Sequence, residues 1–103
     1  MKDTMKFVYD DKLRAYMEKT GKKTIVVELV QIDNSDFEIT ELHVHFVDAR
    51  MRKKFLDQRY RVVETDCGEV LLPHFPLEFA DTVTFKLKKF LFINNISATG
   101  IKV

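Results

Sequence analysis

The side chains best suited to chemistry are two histidines separated by one residue, His43 and His45. If residues 41–47 form a strand, its period of two places both imidazoles on one face, together with Glu41. Neutral imidazoles and a carboxylate are ligands that zinc accepts. The spacing makes His43 and His45 candidate ligands for zinc. The alternative is a solvated sheet face, because the spacing fixes no further ligand.

Cys67 is the only cysteine, so the chain forms no internal disulfide. This is typical of a reducing compartment and predicts a cytoplasmic protein. A reactive thiol needs a base or a cation close by, whereas Cys67 is flanked by Asp66 and Glu69. We predict an unreactive thiol, and a role as a metal ligand only if the fold brings Cys67 and His74 to the histidine pair.

The usual signatures of catalysis are missing from the sequence. It has no phosphate-binding glycine loop, no G-x-S-x-G turn and no H-E-x-x-H helix. We therefore predict a protein that is not an enzyme and holds no cofactor. The net charge of +1 argues against nucleic acid as a partner. No segment approaches the roughly 20 apolar residues that span a bilayer, so no membrane association is expected.

Charge and aromatic content point instead to protein contacts. Residues 24–48 hold six acids and no Lys or Arg, whereas residues 49–63 are strongly basic. Such blocks form two solvated faces, or an acidic face of one copy meets a basic face of another. The nine phenylalanines build a core or cover a partner, and residues 90–93 read FLFI. A homo-oligomer or a protein partner is the expectation.

The periodicity predicts one α+β domain of mixed sheet over residues 1–103. A helix over residues 10–20 is capped by Asp10 or Asp11 and ends at Gly21. A basic segment at 48–57 forms a helical turn or short helix with Met51, Phe55 and Leu56 inside. Strands are expected at 24–30, 41–47, 60–64, 69–72, 82–87 and 96–101, with turns at 33–36, 65–68 and 94–95 and a proline loop at 73–76. In the turn at 65–68, Gly68 is free to adopt positive φ.

The order of these elements resembles a known family. A helix, TIVVELV, an alternating strand, YRVVETDCGEVLLP, DTVTFKLKKFLFINN and ISATGI follow one another over roughly residues 5–101. This resembles the HesB-like or IscA-type family, the small A-type proteins of iron–sulfur cluster assembly. The resemblance implies a β-rich fold with helices on one side, often dimeric.

The cluster-carrying members of that family use one cysteine after a strand and a Cys-Gly-Cys near the C-terminus. Here the first region reads Asp-Asn-Ser-Asp at 33–36, and the second is replaced by Thr-Gly-Ile at 99–101. Cys67 matches neither position, and thiolates are what hold iron and sulfide. The expectation is a non-catalytic HesB-like domain that binds a partner or itself and holds no iron–sulfur cluster. The alternatives are a zinc-binding protein and an accessory factor in iron–sulfur cluster assembly.

Overall fold

The computed structural model describes residues 6–33, 38–74, 77–91 and 93–102, and the side chains of residues 32, 33, 38, 39 and 90 lie outside this description. The described chain contains two helices and two sheets, which confirms the α+β prediction. The elements in chain order are β1 (Lys6–Tyr9), α1 (Asp11–Thr20), β2 (Thr24–Asp33), β3 (Glu38–Phe46), α2 (Ala49–Asp57), β4 (Arg61–Glu64), β5 (Glu69–Leu72), β6 (Glu78–Phe90) and β7 (Ile93–Lys102). None of the described helices is long and apolar enough to cross a bilayer.

Both sheets are mixed, as the sequence predicts. One has the strand order β3-β2-β5-β4, in which β2 runs antiparallel to β3 and parallel to β5. The other has the order β1-β6-β7, in which β1 is parallel to β6 and β7 is antiparallel to it. The inner faces of the two sheets share one apolar core with α1.

Helix α1 begins and ends where its sequence predicts. The Asp10 carboxylate accepts the Leu13 amide at 2.8 Å, which satisfies one N–H that lacks a partner inside the helix. Gly21 ends the helix in the left-handed conformation (φ 76°) and donates its N–H to the Met17 carbonyl. Leu13 and Met17 are buried, so this helix contributes its apolar face to the core.

Strand β2 has apolar residues on both faces, as its continuous run of β-branched residues predicts. Ile25 and Val27 point into the core between the sheets. Val26 points to the opposite face, where it packs with Leu71 and Phe55. Phe55 comes from α2 and is only 2% exposed, so α2 covers the outer face of the four-stranded sheet. This confirms the short basic helix, whose other inner side chains are Met51 and Leu56.

Two predictions about the strands and turns are wrong. Residues 6–9, for which no strand is predicted, pair with β6. Asn94 and Asn95, predicted as a turn, lie in β7 opposite Lys89 and Lys88. Phe90 pairs with Ile93, and Leu91 just after Phe90 takes the positive φ (57°) typical of tight hairpin turns.

Gly68 lies in the predicted hairpin turn between β4 and β5, but its φ is not positive. Position 68 requires a glycine for a steric reason. A Cβ there would clash with the backbone carbonyl of Lys23, which accepts the Glu69 amide at 2.9 Å. Of the other predicted turn, at 33–36, only residue 33 lies within the described residues. The loop residue Pro76 lies outside them.

Candidate functional site

The two histidines do lie on one face of β3, and each faces a carboxylate. The Nε2 atom of His43 lies 3.0 Å from Oε1 of Glu41. The Nε2 atom of His45 lies 2.8 Å from Oε1 of Glu28, which comes from the neighbouring strand β2. The second ring nitrogen of His45, Nδ1, lies 3.2 Å from the carbonyl oxygen of Phe46. The strand thus carries two separate imidazole–carboxylate pairs.

Metal binding at His43 and His45 stays a prediction. A metal ion needs the lone pair of a ring nitrogen, and the Nε2 atom of each histidine lies within hydrogen-bond distance of a carboxylate oxygen. Within the described ranges, no group of three or more His, Cys, Asp or Glu side chains is placed to hold a metal ion. Neither His74 nor Cys67 joins the histidines, so the geometry favours the alternative of a polar sheet face. Glu28 was missed in the sequence because its contact with His45 depends on the register of β2 against β3.

Cys67 is partly buried against the inner core, in the turn between β4 and β5. Burial raises the pKa of this thiol, and Asp66 adds to that effect, whereas Arg14 lowers it. Arg14 itself donates to the Asp66 carboxylate at 3.3 Å. A raised pKa disfavours the thiolate, which agrees with the prediction of an unreactive cysteine.

A cleft of about 570 Å³ lies between the loop after α1 and the start of α2. Lys22 and Lys23 line it, together with Arg52. Arg52 is already paired with Glu69, and the carboxylate of Asp48 caps the helix by accepting the Met51 amide at 2.9 Å. The cleft is therefore lined by basic residues, of which Arg52 is already engaged with a carboxylate.

The Arg52–Glu69 pair beneath this cleft has a structural role. Arg52 donates through Nε and Nη2 to the two carboxylate oxygens of Glu69, the Nη2 contact measuring 3.1 Å. Thr24 donates its hydroxyl to the same carboxylate at 2.8 Å. The hydrogen bond from Arg52 is the main cause that lowers the pKa of Glu69. One carboxylate therefore ties α2 to both β2 and β5.

The remaining unusual surface is the far end of the β6–β7 hairpin, residues 86–97, which we call the β6–β7 arm. Strand β1 supports β6 only as far as Phe85, and Asp10 accepts the Leu87 amide just beyond it. At the end of the arm the side chains of Leu91 and Ile93 are 73% and 60% exposed. They are the two most exposed large apolar side chains among the described residues.

Residues 28–33 of β2 and 38–43 of β3 likewise extend beyond the neighbouring strand, and we call this part of the hairpin the β2–β3 arm. Strand β5 pairs with β2 only as far as Val26. The hydroxyl of Tyr60 then accepts the Leu29 amide at 3.0 Å, where a further strand would otherwise pair.

The comparisons with known proteins found no family model, no curated protein and no solved structure that matches this chain.

Proposed function

We propose that the chain is a non-catalytic binding domain that self-associates, with the β6–β7 arm as its contact surface. The observation that carries the proposal is the exposure of Leu91 and Ile93 at the end of a hairpin. Burying a side chain of this kind releases about 1.5–3 kcal/mol relative to leaving it in water. Leu91 and Ile93 are two residues apart and form an exposed apolar patch of the kind that marks interaction sites.

The chemistry of the described residues supports binding over catalysis. The carboxylates nearest the histidines are engaged with them in pairs, and the Arg52–Glu69 pair ties a helix to the sheet. The pKa of Cys67 is raised by burial, the opposite of what a nucleophile needs. These groups act as structural contacts rather than as a catalytic constellation.

The resemblance to HesB-like proteins belongs to the same proposal. The chain would keep the general β-rich plan of that family and its tendency to form dimers, without its cluster. A single, partly buried cysteine supports the absence of a cluster, since iron–sulfur centres are held by several thiolates. An accessory role in cluster assembly would then depend on protein contacts alone.

The test is the mass of the protein in solution, measured by size-exclusion chromatography with light scattering. The wild-type chain should elute with twice its monomer mass of 12.1 kDa at high concentration. A variant with Leu91→Ser and Ile93→Ser should elute as a monomer. The matched control is Val62→Ser, which removes an apolar side chain that is 37% exposed on β4 and should leave the dimer intact.

Thermal unfolding of each variant shows whether the substitutions leave the fold intact. A wild-type chain that stays monomeric at every concentration would refute the proposal. A folded Leu91/Ile93 variant that dimerises as well as wild type would also refute it, because the contact would then lie elsewhere.

A further inference from the structure

We infer that the exposed face of helix α2 binds an acidic segment of a protein partner. We call this surface the α2 basic face, and it consists of Arg50, Lys53 and Lys54 of the helix and Arg59 just after its end. It includes no residue of the β6–β7 arm and is not needed for the proposed self-association. All four residues are exposed. Among the described side chains, none of the four makes an ion pair.

The three helix residues share one side of α2, because its apolar residues occupy the other side and pack against the four-stranded sheet. Residues three and four positions apart are neighbours on a helix surface, so Arg50 lies beside Lys53 and Lys54. Like charges at this spacing destabilise a helix. Asp57 is the only acid in α2, against four basic residues. The helix therefore holds a repulsion that its own residues do not balance.

The start of α2 carries charge of the unfavourable sign. Acidic side chains stabilise the first turn of a helix and basic side chains the last, because of the helix dipole. Helix α1 follows this rule, with Asp11 in its first turn and Lys19 in its last. The first turn of α2 has no acid but contains two arginines, Arg50 and Arg52. Arg52 is paired with a carboxylate of the sheet, whereas Arg50 belongs to the exposed face.

Arg59 destabilises the end of α2 through its backbone. Its φ is 70°, in the left-handed region, where residues other than glycine are uncommon. Helix α1 ends instead with Gly21, at φ 76°. The Tyr60 amide donates to the Phe55 carbonyl across Arg59, so this conformation is part of the end of the helix. Glycine adopts it without strain, yet the sequence has an exposed arginine at this position.

An anionic partner accounts for the three features together. It balances the repulsion among the helix cations and supplies the negative charge that the first turn lacks. It also gives the Arg59 side chain a contact that offsets its backbone strain. Arginine suits carboxylates in particular, because its guanidinium donates two parallel hydrogen bonds to them. Helix α1 has none of the three features, so they are not a general property of the helices in this chain.

The chemistry around the α2 basic face favours an acidic protein segment over other polyanions. The rings of Phe55 and Tyr60 pack on each other, with centroids 4.8 Å apart, so neither is left to stack on a nucleic-acid base. The net charge of +1 gives no long-range attraction to a nucleic acid. A bilayer surface is disfavoured because the apolar side chains of α2 face the sheet and leave none to insert. A short acidic segment needs only the local charge.

The length of that segment follows from the dimensions of the surface. Helix α2 has nine residues. At 1.5 Å per helical residue and ~3.3 Å per extended residue, about four extended residues match its length. At the start of α2 the positive surface continues into the cleft of about 570 Å³, which Lys22 and Lys23 line. A peptide of about ten residues is long enough to cover the face and reach the cleft.

The experiment measures the binding of a fluorescein-labelled peptide of alternating Glu and Ser, about ten residues long, by fluorescence anisotropy at low ionic strength. The first variant replaces three residues of the α2 basic face by Gln: Arg50, Lys53 and Lys54. The matched control replaces three exposed lysines outside α2 by Gln: Lys6, Lys12 and Lys19. Both variants lose the same net charge, so only the position of the charge differs.

We expect the first variant to bind the peptide at least about tenfold more weakly than wild type, and the control to bind within about twofold of wild type. Arg59→Gly separates binding from stability. Its melting temperature should rise, because glycine relieves the left-handed strain, whereas its affinity for the peptide should fall at least about threefold. Arg59→Lys keeps the charge and should keep most of the affinity. Circular dichroism melting curves verify that all variants fold.

Equal affinity of the first variant and the control would overturn the inference, and so would an Arg59→Gly variant that binds the peptide as wild type does. A wild-type chain that does not bind the peptide would overturn it as well. Tighter binding of wild type to duplex DNA or to phosphatidylserine vesicles than to the peptide, lost in the first variant, would assign the face to that polyanion and overturn the protein partner. All these outcomes leave the proposed self-association standing, because it depends on the β6–β7 arm.

Discussion

Replacement of Glu69 by Gln tests how helix α2 is held on the sheet. The substitution keeps the shape of the side chain and removes its charge. In the structure the carboxylate accepts two hydrogen bonds from Arg52 and one from Thr24. We expect α2 to be held less firmly and the free energy of unfolding to fall.

The size of the expected loss in unfolding free energy depends on how far the Arg52–Glu69 pair is buried. Glu69 has 19% of its side chain exposed, but Arg52 has 38%, so solvent screens part of the attraction. Hydrogen bonds to charged groups contribute about 1.5–3 kcal/mol when well shielded. Exposed ion pairs contribute ~0.2–1 kcal/mol. A partly exposed, two-point contact lies between these limits, at about 1–2 kcal/mol.

The loss should depend on pH in a defined direction. The pKa of Glu69 is lowered in the folded protein relative to its ordinary value of 4.5. A lowered carboxyl pKa contributes stability above the unfolded pKa, and this contribution is lost as the pH falls through the folded pKa. Wild type and the Glu69→Gln variant should therefore differ most at neutral pH and converge in acid.

The assay is urea unfolding at pH 7 and at several lower values, on wild type, Glu69→Gln, Arg52→Met and the double variant. At neutral pH the double variant should lose less than the sum of the two single losses, because the residues share one interaction. A difference between wild type and Glu69→Gln that persists unchanged at the lowest pH would refute the ion-pair explanation. Additive losses of unfolding free energy in the two single variants would also refute the ion-pair explanation.

Three further results are expected. Gly68→Ala should lower the free energy of unfolding by more than about 1 kcal/mol in a thermal melt, since its Cβ would meet the Lys23 carbonyl; an unchanged melt would show that the turn adapts freely. Tyr60→Phe should speed hydrogen exchange at the Leu29 amide, whose acceptor it removes, and equal exchange rates would contradict that role. Equilibrium dialysis should retain far less than one zinc ion per chain, since both nitrogens of His45 face oxygen atoms of the protein. If the wild-type chain retained one zinc ion and the His45→Ala variant did not, the imidazole–carboxylate pairs would have to separate to bind the metal.

Local chemistry made much of the fold predictable. Asp10 and Gly21 mark the ends of α1 because capping depends on a few neighbouring atoms. The run TIVVELV predicts a strand with apolar partners on both faces, and β2 has them. The basic helix was predictable from Met51, Phe55 and Leu56, which share one side.

Other features depend on contacts between distant segments, which no local pattern contains. Strand β1 is only four residues long and pairs with β6, 76 positions later in the chain. Glu28 reaches His45 only because of the register between β2 and β3. The histidine spacing correctly places both rings on one face, but the sequence does not show that carboxylates already occupy their nitrogens.

The central claim is that the β6–β7 arm is covered when copies of this chain meet. Hydrogen exchange followed by mass spectrometry, on wild type at about 1 µM and about 100 µM, measures this most directly. Peptides spanning residues 86–97 should exchange more slowly at the higher concentration, while the edge strand at 61–64 stays unchanged. Exchange of residues 86–97 that is independent of concentration, or protection confined to other strands, would contradict the account.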